Sequence, residues 1–224
     1  MTNHSDHAHH DASISEPMER WTADFWDERY RSSPGLWSGH VNAVVMTETS
    51  DLPPGRALDI GCGEGGDALW LAGRGWRVAG VEVSRVALER AAGHAREAGP
   101  EVADLLTWEQ HDVLEWAPPR SSYDLVTVSF LHLPSRNRTP TYTALADGVV
   151  PGGTFLVVAH HPLDVGVVPR PPEPDLFFTA EELVADLDDR WEVLTSEARP
   201  RPGTHPDGYD VTLHDTVVRA VRRS

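Results

Sequence analysis

A short apolar run that ends in a cluster of glycines constrains the fold of this chain more than any other segment. Residues 57–66 read Ala-Leu-Asp-Ile-Gly-Cys-Gly-Glu-Gly-Gly, and a helix-like segment follows at residues 67–72. This order predicts a buried strand, a tight turn and a helix N-terminus. Glycines let the backbone approach a ligand closely, and the free N–H groups of a helix N-terminus suit an anionic or polar ligand group. The segment therefore predicts a ligand-binding turn.

Strand-like and helix-like segments alternate over most of the remaining chain. The strand-like runs are residues 57–60, 78–83, 105–113, 125–130 and 154–159. The helix candidates are residues 85–97, residues 139–149 with Thr139 as N-cap before Pro140, and residues 181–187 after the capping box of Thr179 and Glu182. Alternating segments with nearly continuous apolar strands predict a parallel sheet that is covered by helices on both faces.

The end of the chain departs from this alternation. Residues 191–198 and 211–222 are both strand-like, and the link between them, which includes residues 199–203, is rich in proline and glycine. Two strands without a helix between them predict a closing antiparallel hairpin. We therefore predict an α/β fold, a three-layer sandwich around a mostly parallel, seven-stranded, Rossmann-like sheet with a C-terminal antiparallel hairpin.

Composition narrows the classes of partner. The 224 residues carry a formal net charge of −16, which argues against nucleic acid and anionic membrane surfaces as main partners, because both are bound through basic patches. The single cysteine, Cys62, excludes an intrachain disulfide and fits a reducing compartment. No apolar run approaches the roughly 18 residues that span a bilayer, and the polar N-terminus does not resemble a secretory signal. We expect a cytoplasmic protein.

Two acidic residues indicate the kind of ligand. Glu82 ends the second predicted strand, where a carboxylate accepts hydrogen bonds from ribose hydroxyls in nucleotide-binding βαβ units. Asp59 lies inside an apolar strand, where an unpaired carboxylate is costly, and a ligand ammonium group would satisfy it. The glycines also fit the G-x-G-x-x-G pattern of NAD-dependent enzymes, but nicotinamide dinucleotides offer no such cation. S-adenosylmethionine (SAM) offers an ammonium group, a ribose and an adenine.

Several short segments, taken in order, resemble the motifs of class I SAM-dependent methyltransferases. Residues 58–65 resemble the first motif, residues 81–84 (Val-Glu-Val-Ser) the second, residues 112–113 the adenine-binding segment, residues 125–133 the fourth-strand motif, and residues 150–154 the turn into the fifth strand. The resemblance implies SAM as the cofactor. The cofactor-binding residues that it implies, together with Asp59 and Glu82, are Gly61, Cys62, Gly63, Val83, Asp112, Val113 and Ser129.

The N-terminal aromatic segment resembles one branch of that family. Residues 25–30 (Phe-Trp-Asp-Glu-Arg-Tyr), followed by Trp37, are similar to the entry segment of the thiopurine and tellurite-resistance methyltransferases. There an aromatic-rich helix and loop close over the cofactor. The resemblance implies that Trp26, Tyr30 and Trp37 line the SAM site. The alternative is an N-terminal helical layer that only packs on the core.

Histidines that follow the fourth and fifth strands are the candidates for chemistry on the methyl acceptor. His132, His160 and His161 lie where the acceptor is expected, and histidine titrates near neutrality, so each is a candidate general base. The alternative for each is a structural or exposed histidine. Arg136 and Arg138 are candidates for recognising an acidic acceptor, or they lie in a solvated loop. A soft sulfur, selenium or tellurium nucleophile needs little base catalysis, whereas a hydroxyl or amine needs more.

These observations predict one domain that transfers a methyl group from SAM to a small-molecule acceptor through S, Se, Te, O or N. We expect residues 1–17 to form a disordered, histidine-rich tail and residues 18–224 to form the domain. Within the domain we expect a helical lid at 18–50, a SAM-binding core at 55–160 and a substrate-side part at 161–224. No metal site is predicted, and the sequence does not determine the oligomeric state. An NAD(P)-dependent oxidoreductase and a non-catalytic SAM-binding regulatory protein are the alternatives.

Overall fold

The structure is a computed structural model, and it describes residues 22–33 and 40–224. The helices are α1 (Ala23–Ser32), α2 (Ala43–Thr49), α3 (Gly66–Gly73), α4 (Arg85–Ala98), α5 (Pro100–Ala103), α6 (Ser135–Ala146) and α7 (Ala180–Ala185). The strands are β1 (Arg56–Ile60), β2 (Arg77–Glu82), β3 (Leu106–Gln110), β4 (Tyr123–Ser129), β5 (Val149–His160), β6 (Trp191–Thr204) and β7 (Asp210–Arg222). Two 3₁₀ turns, Pro162–Asp164 and Pro174–Leu176, lie between β5 and α7.

The strands form one seven-stranded sheet in the order β3-β2-β1-β4-β5-β7-β6. The pairs from β3 to β5 are parallel, whereas β7 pairs antiparallel with both β5 and β6. The predicted α/β fold with a mostly parallel sheet and a closing antiparallel hairpin is therefore confirmed. The strand order reverses between β1 and β4, and ligands of open α/β sheets bind at the carboxyl ends of the strands beside such a reversal.

Two apolar clusters cover the two faces of the sheet. Ile60 packs with Leu145 of α6 and Leu183 of α7 on one face, whereas Ala57 packs with Leu71 of α3 on the other. Successive side chains of a strand point to opposite faces. The central strands are therefore apolar almost throughout, because both of their faces are buried. Within β1 this alternation puts residue 59 on the face that α3 covers.

Helix α6 begins earlier than predicted. It runs over Ser135–Ala146, and the carbonyl of Pro134 accepts hydrogen bonds from amides of the first turn. The prediction that Thr139 caps this helix and Pro140 opens it is wrong. The hydroxyl of Thr139 donates to Asp186 at 2.8 Å, and Pro140 lies inside the helix with its ring exposed. A proline inside a helix has a helical φ, but it removes one backbone hydrogen bond and crowds the carbonyl four residues earlier.

The C-terminal hairpin is longer than predicted. Residues 199–203, predicted to be a linker, belong to β6, where Pro200 lies opposite His214 and Pro202 opposite Thr212. Proline cannot donate to a sheet ladder, so within sheets it is found mainly in edge strands, at the starts of strands and at bulges. Because β6 is the last strand of the sheet, its two prolines fit there. The turn itself is therefore confined to residues 205–209.

Candidate active site

The glycine turn follows β1 and leads into α3, as predicted. Gly61, Gly63 and Gly65 have φ values of +67°, +53° and +89°. At Gly65 a side chain is excluded twice over, because the left-handed backbone disfavours a Cβ and an added Cβ would lie 2.8 Å from the Trp108 ring. The turn is also anchored to the next strand, since the amide of Gly61 donates to the carbonyl of Val81 at 2.8 Å. The backbone is thus held open for close contact with a ligand.

Asp59 is the buried carboxylate behind this turn. Its side chain is 1% exposed, and Oδ1 accepts a hydrogen bond from the Thr127 hydroxyl at 2.9 Å. The second oxygen, Oδ2, is buried and has no hydrogen-bond partner within residues 22–33 and 40–224. A buried polar atom without a partner costs roughly 1–3 kcal/mol, and more if it is charged. The atom is therefore suited to a donor that comes from a ligand.

Two further carboxylates share this region and intensify its negative charge. Burial raises the pKa of Asp59 well above its usual value, and the charge of Asp67 and that of Glu82 raise it further. Burial likewise raises the pKa of Asp67 and that of Glu82. Asp67 accepts hydrogen bonds from the Asn42 amide at 2.7 Å and the Ser129 hydroxyl at 2.9 Å. The site is therefore electrostatically suited to a cationic ligand and unsuited to a pyrophosphate.

Glu82 ends β2 beside the glycine turn, as the sequence predicts. The amide of Ser84 donates to Oε1 at 2.9 Å and the amide of Gly63 donates to Oε2 at 3.3 Å. The carboxylate has about four acceptor sites, so capacity for a further donor remains beside these two amides and that of Val83. The two amides fix the orientation of the carboxylate, as a residue that receives ribose hydroxyls requires. Val83, next in the chain, is half-buried, and its carbonyl accepts from the Gln110 side chain at 3.0 Å.

Helix α1 is fastened to the start of α4, directly after Glu82. Asp27 of α1 accepts hydrogen bonds from the Ser84 hydroxyl at 2.6 Å and the Val86 amide at 3.2 Å. Arg90 of α4 donates to the carbonyl of Tyr30 at 2.6 Å and pairs with buried Glu64 at 2.6 Å. These contacts hold the predicted lid helix beside the glycine turn.

The aromatic residues predicted to line the cofactor are only partly described. Trp26 is half-buried, with its ring centroid 6.2 Å from that of Tyr30, and Tyr30 is 2% exposed. Trp37, predicted to line the cofactor, lies outside the described residues, as does the predicted tail at 1–17. The role of these aromatics as a cofactor lid stays a prediction.

Cys62 lies inside the turn and packs against β2. Burial raises the pKa of its thiol well above the usual value, and the charges of Asp59 and Glu82 add to the increase. A Cβ added to Gly80 would lie 3.0 Å from its sulfur, which places the two residues in contact range. A thiol held protonated in this way is a poor nucleophile. The contribution of Cys62 to the cofactor site stays a prediction.

The predicted adenine segment follows β3, which ends at Gln110, earlier than predicted. Asp112 stabilises the turn that follows the strand, because its Oδ1 accepts a hydrogen bond from the Leu114 amide at 2.9 Å. His111 stacks on Trp116 with ring centroids 4.5 Å apart. Val113 is half-buried against the apolar cluster of α6 and α7. Asp112 and Val113 thus lie in the turn that follows β3, at the carboxyl edge of the sheet.

Two of the three candidate histidines come together. His132 follows β4 and His160 ends β5, and their rings stack with centroids 4.9 Å apart. The His160 amide donates to Nε2 of His132 at 3.1 Å. A further hydrogen bond joins His132 to the backbone of Phe130. Burial lowers the pKa of His132 to about 4. His132 is therefore neutral near pH 7 and orders the end of β5.

His160, the second histidine of the pair, has a buried ring nitrogen. Its Nδ1 is buried and has no hydrogen-bond partner among the residues that the structure describes. Burial lowers its pKa to about 2, and the neighbouring His132 and two arginines add to this. Phe130, with an unusual φ of +55°, places its ring 4.6 Å from that of His160. Non-glycine residues held in this region cost about 1–3 kcal/mol and cluster at functional sites.

His161 and the two predicted arginines lie apart from this pair. Nδ1 of His161 accepts from the Leu163 amide at 3.1 Å, and its ring is near that of His214. Arg138 is buried, with its guanidinium 4.4 Å from the centre of the Phe178 ring and donating to the carbonyl of Asp175. Arg136 is exposed on α6. The structure therefore gives His161 and Arg138 local packing contacts.

Comparisons with known proteins agree with this geometry. A family model described as a methyltransferase domain matches residues 57–153. A thiopurine S-methyltransferase from Pseudomonas putida (strain KT2440) is 30% identical over 167 residues, covering 66% of this chain and 76% of that protein. The chain belongs to the class I SAM-dependent methyltransferases. Two other curated relatives align over shorter stretches, and this methyltransferase spans 33% and 48% of their lengths.

Solved structures share the fold of this methyltransferase. One, from a study of the conversion of a disulfide bond into a thioacetal group during echinomycin biosynthesis, has a TM-score of 0.71 and 24% identity, covering 90% of this chain and 92% of that chain. Another, the glycopeptide N-methyltransferase MtfA complexed with SAM, has a TM-score of 0.62 and 18% identity, covering 86% of this chain and 90% of that chain.

Every helix within residues 22–33 and 40–224 is too short or too polar to cross a bilayer.

SAM is the cofactor of this family, and the residues present fit it. Oδ2 of Asp59, which has no partner within the described residues, suits the ammonium group, and the fixed carboxylate of Glu82 suits the ribose hydroxyls. Sequence reasoning missed Asp67, Thr127 and the contact of Asp27 with α4. Asp67 carried one signal, as an acidic residue in the first turn of α3.

Proposed function

We propose that this methyltransferase transfers the methyl group of SAM to a small-molecule acceptor bound at the carboxyl ends of β4 and β5. The observation that carries the proposal is Oδ2 of Asp59, which is buried among further carboxylates and has no hydrogen-bond partner in the described residues, because this arrangement suits a cationic ligand group. When bound, SAM supplies an electrophilic methyl on a sulfonium. The cofactor and acceptor contacts of the individual residues are part of this proposal.

The chain's own residues bind and orient the two reactants. Asp59 would accept a hydrogen bond from the aminoacyl part of the cofactor, Glu82 would accept from its ribose, and Asp112 would accept from the adenine amine. Phe130 and His160 form the wall on the acceptor side. Methyl transfer needs the nucleophile and the methyl carbon held in line at about 3–3.5 Å, and positioning of this kind supplies much of the rate.

The histidine pair favours an acceptor that needs no strong base. The pKa of His132 is about 4 and that of His160 about 2, far below the roughly 8.5 of a thiol or the higher values of hydroxyls. General bases work best with a pKa near the operating pH. We therefore propose a soft nucleophile, a thiol or a heavier relative. The thiopurine S-methyltransferase names among the curated relatives support this choice.

A matched acceptor series tests the proposal. Thiophenol, phenol and aniline share one ring and differ in the nucleophilic atom, so release of S-adenosylhomocysteine from SAM reports the preferred atom. We expect turnover with thiophenol and none above background with the other two. Turnover with phenol or aniline but not thiophenol would overturn the soft nucleophile. Tight SAM binding without turnover over a broad acceptor panel would instead favour a non-catalytic SAM-binding protein.

A further inference from the structure

A cluster of charged side chains adjoins the histidine pair on the acceptor side. Arg170 lies in the loop after β5, Arg201 is on β6, and Asp164 and Asp215 are buried near them. None of these four residues belongs to the motifs that bind SAM. The cluster lies beside the histidine pair, on the side proposed for the acceptor.

The sheet register fixes one half of this cluster. Asp215 of β7 lies directly opposite His160 of β5, and directly opposed residues point to the same face of the sheet. The Arg201 Nε is 3.0 Å from both carboxylate oxygens of Asp215, whose side chain is 2% exposed. Asp215 is thus neutralised by Arg201, and both groups are held beside His160.

The other half holds a second guanidinium, that of Arg170, whose positive charge is offset by Asp164 and Asp215. Asp164, which is 1% exposed, accepts hydrogen bonds from the backbone amide of His214 at 2.9 Å and from its ring at 3.1 Å. Arg170 lies 3.8 Å from Asp164, which is too long for a hydrogen bond. Its side chain is only 16% exposed, and its Nε is buried without a hydrogen-bond partner in the described part of the chain.

Two polar atoms of this region, Nε of Arg170 and Nδ1 of His160, are buried. Neither has a hydrogen-bond partner in residues 22–33 and 40–224. Burial and the positive charge of Arg170 lower the pKa of both stacked histidines, so His132 and His160 are neutral near pH 7. A neutral imidazole can carry its proton on Nδ1 and donate it, and the guanidinium Nε–H is always a donor. Each of these atoms can thus donate to an anionic group that comes from a ligand.

We propose that Arg170 recognises a carboxylate on the methyl acceptor, with His160 as second donor, so that the acceptor is an anionic small molecule. A guanidinium matches the planar geometry of a carboxylate, and hydrogen bonds between charged groups are among the strongest in proteins. The rings of Phe130 and Phe177 flank the histidine pair and give the acceptor an apolar wall. The acceptor therefore combines an aromatic or apolar body with a carboxylate. This inference rests on the proposed function.

Binding of phenylacetate and its neutral isostere phenylacetamide tests the proposal without turnover. Each is titrated by calorimetry into the full-length protein saturated with S-adenosylhomocysteine. We expect phenylacetate to bind roughly tenfold or more tightly than phenylacetamide, as a charge-assisted contact predicts. Equal affinities for the two probes in the wild-type protein would overturn the proposal. Failure of S-adenosylhomocysteine itself to bind would instead contradict the proposed function.

Variants assign the preference to Arg170. Arg170→Gln should abolish the difference between the two probes, Arg170→Lys should keep part of it, and Arg96→Gln, at an exposed position of α4, should keep all of it. Unchanged cofactor affinity in Arg170→Gln shows that the variant is folded. If Arg170→Gln retains the full preference for phenylacetate, Arg170 is a structural partner of Asp164 and the proposal is wrong. Should Arg170→Gln not fold, Arg170→Met takes its place in the same comparison, and a full preference for phenylacetate in that variant would equally refute the proposal.

Discussion

Replacing Asp59 by asparagine separates cofactor binding from stability. The substitution keeps the size of the side chain and an oxygen that accepts from the Thr127 hydroxyl, but it removes the charge that faces the ligand ammonium group. A hydrogen bond between charged groups contributes about 1.5–3 kcal/mol, which corresponds to a roughly 10- to 150-fold change in affinity. We expect calorimetry to give a SAM dissociation constant that is higher by this factor.

The same substitution should stabilise the ligand-free protein at high pH. The folded-state pKa of Asp59 is raised above its unfolded value, mainly by burial, so the wild-type protein loses stability as pH rises through the folded-state pKa. An asparagine side chain does not ionise and avoids this loss. The melting temperature of Asp59→Asn, minus that of the wild type, should therefore increase with pH when both are measured without ligand.

Asp104→Asn is the matched control for this substitution. Asp104→Asn makes the same chemical change at an exposed position after α5, and it should alter neither the SAM affinity nor the pH dependence of melting. If Asp59→Asn binds SAM as tightly as the wild type, the carboxylate does not contact the cofactor. If its melting temperature follows the wild type at every pH, the buried carboxylate is not destabilising.

Three further substitutions test neighbouring parts of the site. Glu82→Ala should weaken SAM binding at least about tenfold by calorimetry, because charge-assisted hydrogen bonds to the ribose are lost; unchanged affinity would refute the ribose contact. Gly80→Ala should lower the free energy of unfolding by about 1–3 kcal/mol in urea titrations, because the new Cβ meets the Trp108 ring at 2.6 Å; a neutral effect would mean that the ring moves freely. Asp27→Ala should lower the free energy of unfolding by about 1 kcal/mol, as the loss of a helix cap does. An unchanged free energy of unfolding would show that the contact of Asp27 with the start of α4 contributes nothing to stability.

Features that depend on neighbouring residues in the chain were predictable from the sequence. The glycine turn, the capping box of Thr179 and Glu182, and the acidic end of β2 each have a local signature, and the structure contains all three. Asp59 was informative for a different reason. A carboxylate in an apolar strand conflicts with its surroundings, and such conflicts mark functional sites.

Contacts between distant parts of the chain carried no such signature. Asp27 lies 57 residues from Ser84, and Asp164 lies 50 residues from His214. An acidic residue on an exposed-looking helix has the same local pattern whether or not it reaches another element. The charged cluster on the acceptor side was missed for this reason, since Asp215 and His160 come together only through the sheet register.

Proline was over-interpreted as a boundary in two places. Pro140 was expected to open α6, and Pro200 and Pro202 were expected to lie in a linker. Proline prevents one hydrogen bond, and its effect depends on whether that bond is needed. In an edge strand it is not, and in α6 its loss occurs at an exposed position. Tertiary position therefore decided the outcome, and the local sequence did not contain it.

Isothermal titration of the wild-type protein with SAM and, separately, with NAD⁺ tests the central claim most directly. The claim is that the glycine turn, Asp59 and Glu82 together hold a cationic cofactor. It predicts stoichiometric SAM binding that weakens as pH falls, because Asp59 with its raised pKa becomes protonated, and it predicts no NAD⁺ binding. Tight binding of NAD⁺ without binding of SAM would contradict it.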